Sequence, residues 1–189
     1  RPAAFPICLA PEKGREAGLW VFDRALARAM ATAEQAFKNG GHVSGLTSGL
    51  RDFDKKTGGL DPSDLLILAG RPAMGKTALA TKIAFSAARA LMQDAEDKGP
   101  GVQPKGAVAI FSLEMSAEQL AARILSEQSE VSSERIRRGD IGQKEFDRFV
   151  RVSRELARLP LVIDDTPAIS LSAMRTRCRR LKRTKGLSL

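Results

Sequence analysis

The sequence has little of what marks several large classes of protein. Of its 189 residues, two are cysteine and one is histidine. Cys8 and Cys178 are too few for a small domain held together by disulfides or for a zinc site of four cysteines. Cysteine usage of this kind favours a reducing, cytoplasmic setting. His42 has no cysteine or histidine at ligand spacing, so we predict no metal role for it.

Long apolar runs are also missing. The run at residues 65–69 is among the longest, whereas a membrane-spanning helix needs about 20 apolar residues. The sequence therefore predicts no membrane partner. Residues 1–10 superficially resemble a secretory signal, but Pro2 and Pro6 interrupt them and the sequence does not begin with Met. We expect this start to be the cut end of a longer protein.

What the sequence does have is enough apolar residues for a core and an excess of positive charge. Hydrophobic residues make up 43%, which excludes wholesale disorder, and the length fits one domain. The 31 basic and 22 acidic residues give a formal charge of +9. That balance favours an acidic partner such as a nucleic acid or a nucleotide.

Most of this excess lies in one basic run near the end of the sequence. Residues 170–189 contain five Arg, two Lys and no acidic residue. Such a run can track phosphates, but a solvated or subunit-facing side of a helix is the simpler interpretation. No aromatic residues lie between these charges, so base stacking is not indicated. The charge by itself is a weak signal for nucleic acid.

Apolar runs of strand length alternate with segments of helical spacing. The predicted strands are residues 65–69, 107–112 and 161–163, and the predicted helices are residues 76–92, 116–126, 145–159 and a last helix capped by Ser170. Polar segments predict loops over residues 45–59 and 94–106. This order predicts an α/β fold with a mostly parallel sheet flanked by helices.

The N-terminal part has a different pattern. Residues 1–18 are rich in Pro, Gly and Ala without a period, which predicts an irregular segment. Apolar residues from Phe22 to Phe37 recur at helical spacing, which predicts an amphipathic helix within residues 19–41. The Asn and two Gly at residues 39–41 are expected to end it. Two interpretations stay open: a core helix of the same domain, or a helix that docks on a neighbouring subunit.

A phosphate-binding loop is the most specific motif. The segment Gly-Arg-Pro-Ala-Met-Gly-Lys-Thr matches G-x-x-x-x-G-K-[ST] at every fixed position, between a predicted strand and a predicted helix. Its backbone N–H groups and the helix N-terminus attract phosphate. Lys76 adds charge near the β and γ phosphates of ATP, and the Thr77 hydroxyl can ligate Mg²⁺. The predicted nucleotide-binding residues are Gly70, Arg71, Pro72, Ala73, Met74, Gly75, Lys76, Thr77 and Ala78.

Carboxylates follow two of the predicted strands. Glu114 comes just after residues 107–112, at the strand end where ligands bind in open α/β sheets. A carboxylate there can orient or deprotonate a water that attacks the γ phosphate, although its position alone also suits a solvated or helix-capping glutamate. Asp164 and Asp165 follow residues 161–163 in the form of a Walker B strand, so Asp164 as a magnesium ligand is an alternative.

Several segments together resemble the replicative DNA helicases of the DnaB type. The resemblance covers about residues 22–189. The segments that carry it are residues 45–54, 70–80, 111–120, 135–140, 161–167 and 177–182. It implies a RecA-like P-loop NTPase fold in which Glu114 activates the hydrolytic water and Lys76 assists catalysis. It further implies an ATP-dependent helicase with 5′–3′ polarity, assembled from identical subunits in a hexameric ring around single-stranded DNA.

The same resemblance gives an expected domain organisation. Residues 19–41 occupy the place of the family's linker helix, and residues 42–189 that of the N-terminal part of the motor domain, with an incomplete sheet. The DNA-binding loops and the Walker B strand, which bears the magnesium-binding aspartate, are expected beyond Leu189. On this interpretation the predicted strand at residues 161–163 is the one before Walker B. Primase and a helicase loader are the further partners implied. The chain alone is expected to be inactive.

Two other functions remain open at this point. One is a different RecA-like ATPase, such as a recombinase or a clock-type regulator. The other is a nucleotide-binding fragment without turnover.

Overall fold

The computed structural model describes residues 22–38, 45–62 and 64–189. The predictions made for residues 1–18, for Cys8, for the helix stop at residues 39–41 and for His42 lie outside these residues. The chain divides into two units, with the boundary between residues 40 and 41.

The described residues of the first unit form one helix, α1, which spans Phe22–Lys38. The predicted helix is confirmed over these residues. Phe22, Leu26 and Met30 recur every four residues and are 78%, 51% and 67% exposed, and Phe37 is 86% exposed. Residues four apart lie on one side of a helix, so α1 presents an exposed apolar stripe.

The second unit alternates helices with strands. Its elements are α2 (Arg51–Thr57), α3 (Lys76–Asp97), β1 (Val108–Phe111), α4 (Ala117–Ser129), α5 (Ser133–Arg138), α6 (Gln143–Leu156), β2 (Leu161–Asp164) and α7 (Leu171–Thr184). Ser116 and Ser170 cap α4 and α7 with their side chains, as their positions predict. None of these described helices is long and apolar enough to cross a bilayer.

The sheet is parallel. β1 pairs with β2 in a register that runs from Val108 opposite Leu161 to Phe111 opposite Asp164. Parallel neighbours need a crossover connection, which α4, α5 and α6 supply. The predicted α/β fold with parallel strands is confirmed, and both carboxyl strand ends lie at the same edge.

A short C-terminal segment lies along the other side of β1. The Ala107 N–H donates to the Gly186 carbonyl (3.2 Å), and the Ser188 N–H donates to the Ala107 carbonyl (2.9 Å). In a parallel pair, a residue bonds to the residues before and after the one opposite it. Ala107 shows this pattern with Gly186 and Ser188, on either side of Leu187. The Ala109 N–H, inside β1, also donates to the Leu189 carbonyl at 2.8 Å, so β1 has hydrogen-bonded neighbours on both sides.

The strand predicted at residues 65–69 is wrong for this structure. Leu65 and Ile67 are 85% and 83% exposed, and no regular element forms between residue 64 and α3. A strand requires a hydrogen-bonded neighbour, and the described residues provide none for this segment. The apolar run alone therefore did not determine its structure.

Three helices differ most from the prediction. α2 lies inside the predicted loop 45–59 and ends at Gly58, whose φ of 81° suits glycine. α3 continues to Asp97, into the predicted loop 94–106. α5 was not predicted. Its Arg135 forms a bidentate pair of hydrogen bonds with Glu145 of α6, at 2.7 and 2.9 Å.

A buried carboxylate holds the segment that precedes the phosphate loop. Asp54 of α2 is 4% exposed and accepts hydrogen bonds from the Ser48 N–H (3.0 Å) and from the hydroxyls of Ser48 and Thr47. Burial opposes ionisation of Asp54, but these bonds outweigh it and lower its pKa. Leu46 and Leu60 pair as an antiparallel bridge in the same segment.

The core lies between α3 and the sheet. Ala84, Ala87 and Ala88 of α3 are buried with Val108 of β1, and the small side chains let the helix approach the strand closely. Lys82 donates to Glu127 at 2.6 Å and joins α3 to α4. The phosphate loop is therefore attached to the best-packed helix of the unit.

Candidate nucleotide-binding site

The phosphate loop contains two residues with a left-handed backbone and leads directly into α3. The Met74 N–H donates to the Arg71 carbonyl at 3.3 Å. Ala73 and Gly75 have φ of 64° and 80°, in the left-handed region. Alternation of left-handed with other conformations turns successive N–H groups to one side and forms an anion-binding nest. The loop predicted from the motif thus has the backbone that the motif requires.

The first turn of α3 leaves donors available beside this nest. The first hydrogen bond of the helix runs from the Leu79 N–H to the Gly75 carbonyl at 3.0 Å. The N–H groups of Lys76, Thr77 and Ala78 therefore have no helical acceptor. Together with the helix dipole, they favour an anion at this end of α3.

Lys76 places a cation at the same loop. Its Nζ donates to the carbonyl oxygens of Gly70 (3.0 Å) and Arg71 (3.1 Å). It forms no ion pair with any described carboxylate, so its charge has no counterion within the described residues. The chemistry of this donor set fits a phosphate group.

Space and metal-binding capacity also fit. A Cβ built on Gly75 meets nothing within 4 Å, so the mouth of the loop is open. Thr77 is exposed, and its hydroxyl makes no hydrogen bond within the described residues. These residues can bind a nucleotide phosphate, and the Thr77 hydroxyl can supply one oxygen ligand to Mg²⁺.

Glu114 lies at the tip of a tight turn between β1 and α4. The Ser112 hydroxyl closes this turn by donating to the Met115 carbonyl (2.6 Å) and accepting from the Met115 N–H (3.1 Å). Glu114 is exposed and makes no hydrogen bond or ion pair with the described residues. The structure places it at the carboxyl end of β1, as predicted, but does not bring it into contact with Lys76 or Thr77.

The two aspartates at the end of β2 contact different helices. Asp164 accepts from the Thr166 N–H at 3.1 Å and from Arg177 of α7. The Arg177 hydrogen bond, helped by Thr166, lowers the pKa of Asp164 to about 2. Asp165 instead accepts from the Ala117 N–H at 2.8 Å. Both oxygens of Asp164 thus have protein donors, which favours a structural role for it over the Walker B alternative.

No cluster of three metal-ligating side chains occurs among residues 22–38, 45–62 and 64–189. Thr77 as a magnesium ligand stays a prediction.

Sequence reasoning missed the part that three polar residues play near this site. Ser112 and Asp165 fix the turn that carries Glu114. Arg177, a member of the basic run, binds Asp164. The other basic residues of the run are exposed and form no ion pair within the described chain. Only the adjacency of Ser112 to Glu114 was visible as a local signal, because the other two contacts join segments far apart in the sequence.

A model of the DnaB-like helicase C-terminal domain matches residues 45–189. The chain belongs to this family. Among curated relatives, it is 43% identical over 165 residues to the replicative DNA helicase DnaB of Rickettsia felis, which covers 87% of this chain and 33% of the relative. It is 35% identical over 156 residues to the replicative DNA helicase DnaC of Bacillus subtilis, which covers 82% and 32%. The chain thus spans about a third of the length of these relatives.

Two solved structures show the same fold. The ATPase domain of G40P aligns with a TM-score of 0.72 at 24% identity, over 86% of this chain and 52% of the other. A DnaB-like replicative helicase, whose structure was described with its interactions with primase, aligns with a TM-score of 0.67 at 23% identity, over 90% and 37%. The RecA-like ATPase fold expected from the resemblance is confirmed, and the DnaB-like match includes both the phosphate loop and Glu114.

Proposed function

We propose that this chain is part of the ATP-driven motor of a replicative DNA helicase, which couples ATP hydrolysis to 5′–3′ translocation on single-stranded DNA and to separation of the duplex. The observation that carries the proposal is the phosphate loop with its free N–H groups and its uncompensated lysine, in a chain of the DnaB-like family. The relatives it matches are named as replicative helicases.

The roles at the site follow from its chemistry. The loop Gly70–Ala78 surrounds the phosphates and binds them through the backbone N–H groups that its residues other than Pro72 carry. Lys76 binds the β and γ phosphates with its ammonium. Thr77 binds Mg²⁺, which, when present, neutralises charge on the phosphate oxygens. Glu114 orients the attacking water and accepts its proton. Its exposed side chain at a strand end is free to do so.

Assembly and partners complete the proposal. The motor works in the cytoplasm as a hexameric ring of identical subunits around single-stranded DNA, with residues 19–41 as a linker helix that docks on the neighbouring subunit. The exposed apolar stripe of α1 supports this docking, because contiguous apolar side chains exposed to water commonly mark a surface that binds another protein. Primase and a helicase loader are further partners; the description of one solved neighbour names primase.

The experiment that tests this function measures ATP hydrolysis by the full-length protein with and without single-stranded DNA, alongside its mass in solution. We expect a hexamer whose hydrolysis requires Mg²⁺ and increases with single-stranded DNA. A protein that binds ATP without turnover at any DNA concentration contradicts the proposal and favours a binding module. DNA-stimulated hydrolysis without strand displacement favours another RecA-like ATPase, such as a recombinase.

A further inference from the structure

Asp165 joins the end of β2 to the beginning of α4. Its Oδ2 accepts a hydrogen bond from the Ala117 N–H at 2.8 Å, between residues 48 positions apart. Ala117 is the first residue of α4, so its N–H has no acceptor inside the helix. A carboxylate at this position also interacts favourably with the positive end of the helix.

The segment between β1 and α4 is thereby attached to β2 at both ends. At its start, the Ser112 N–H donates to the Asp164 carbonyl at 2.9 Å. At its end, Asp165 holds Ala117. Only four residues separate Ser112 from Ala117, and Glu114 is the second of them. The Ser112 bonds to Met115 close the turn between these two anchors.

Capping within α4 is independent of this connection. Ser116 accepts from the Gln119 N–H at 3.2 Å, and the Gln119 side chain accepts from the Ser116 N–H at 3.1 Å. Both bonds stay inside the helix and its cap, so they stabilise α4 without fixing it to the sheet. Asp165 is the side chain that ties the helix start, and with it the turn, to the neighbouring strand.

We propose that Asp165 is a positioning residue that sets the location of Glu114 relative to the sheet, and through it the rate of ATP hydrolysis. The inference rests on the proposed role of Glu114 as the group that activates water. Asp165 binds no reacting atom in this account. Its contribution is to hold the backbone three residues beyond Glu114, where a shift of about 1 Å can lower a rate by about 100-fold.

Three variants of the full-length protein separate this role from others. Asp165→Ala removes the acceptor. Asp165→Asn keeps an oxygen that can accept from Ala117 but removes the charge. Ala117→Pro removes the donor from the opposite partner: the first position of a helix tolerates proline, and Ser116 already has the extended ψ of 158° that a residue before proline prefers.

We expect both Asp165→Ala and Ala117→Pro to lower kcat for ATP hydrolysis by about 10- to 100-fold, with KM for ATP within about twofold of wild type. We expect Asp165→Asn to retain most of the wild-type kcat, because the hydrogen bond survives. Asp164→Asn serves as the control at the adjacent residue, since it alters the contact with α7 and leaves Ala117 anchored. Its kcat should stay within about twofold of wild type.

A double variant tests whether Asp165→Ala damages the site in general. Glu114→Gln is expected to bind ATP without hydrolysing it, and adding Asp165→Ala to it should leave the affinity for ATP unchanged, whereas a general folding defect would lower that affinity. Wild-type kcat in both Asp165→Ala and Ala117→Pro overturns the inference, and so does an Asp165→Asn variant as slow as Asp165→Ala. If Glu114→Gln itself hydrolyses ATP normally, the proposed role of Glu114 is what fails.

Discussion

The Nζ atom of Lys76 lies 3.0 Å from the carbonyl oxygen of Gly70, at the other end of the same loop. A second bond to Arg71 at 3.1 Å completes this contact. Both acceptors are neutral, so a phosphate oxygen that replaces them gains a charge-assisted hydrogen bond. The lysine thus spans the loop that a nucleotide would fill.

Replacing this lysine should stop the motor. We expect Lys76→Ala in the full-length protein to weaken ATP binding and to lower kcat for hydrolysis by about 100-fold or more, since the cation that stabilises the transferred phosphoryl group is lost. Lys82→Ala is the matched control on the same helix. It removes an exposed pair with Glu127, which contributes less than about 1 kcal/mol, and should hydrolyse ATP normally. Unchanged turnover in Lys76→Ala would disprove the assignment of the loop.

Gly75 offers a test of the phosphate-binding space that is independent of charge. Gly75→Ala introduces a methyl group into open space at a φ of 80°. Gly139→Ala does the same at a φ of 71°, at the end of α5. Each should cost about 1–2 kcal/mol of folding free energy from the left-handed backbone.

Only Gly75→Ala should weaken ATP binding, because its methyl group lies where the backbone must approach the phosphates. Thermal unfolding and nucleotide titration of the two variants measure the two effects separately. Equal ATP affinity in both variants would show that the open space at Gly75 is not the phosphate site.

Glu114→Gln should separate binding from hydrolysis. The amide keeps the size of the side chain but cannot accept a proton, so we expect ATP binding to be retained and hydrolysis to stop. Glu118→Gln, in the exposed first turn of α4, is the matched control and should hydrolyse ATP normally. Nucleotide binding and single-turnover hydrolysis are the measurements. Hydrolysis at the wild-type rate in Glu114→Gln would exclude Glu114 as the base.

The contact of Asp164 with Arg177 predicts a pH-dependent stability. The pKa of Asp164 is lowered from 3.8 to about 2 in the folded state, mainly by the Arg177 hydrogen bond. A lowered folded-state pKa stabilises the protein above pH 3.8, and the stabilisation is lost as the pH falls towards 2. Asp164→Asn should therefore unfold at a lower temperature than wild type at pH 6, and the difference should shrink below pH 3.8. A difference that stays constant down to pH 2 would argue against this ion pair as its source.

Local signals made much of this structure predictable from the sequence. The phosphate loop is a contiguous motif, and Ser116 and Ser170 cap helices that begin one residue later. Glu114 and Asp164 each follow a short apolar run within a few residues. Each of these features depends on neighbours within a few residues.

The features that could not be predicted depend on distant residues. Residues 65–69 have the composition of a buried strand, but strand formation requires a hydrogen-bonded neighbour, which no local pattern supplies. α2 has too few apolar residues to show helical spacing. It is held in place by the buried Asp54, which accepts hydrogen bonds from Thr47 and Ser48. Asp165 reaches Ala117 across 48 positions. Its role at the site follows only from the fold.

Strand displacement by the full-length protein on a forked duplex, in Mg²⁺ and ATP, tests directly whether this chain is part of a helicase motor. We expect ATP-dependent displacement when the tail on the tracked strand is 5′, little displacement when only a 3′ tail is present, and none with Lys76→Ala. Displacement by Lys76→Ala at the wild-type rate, or no displacement by a wild-type protein that hydrolyses ATP in response to DNA, would contradict this expectation.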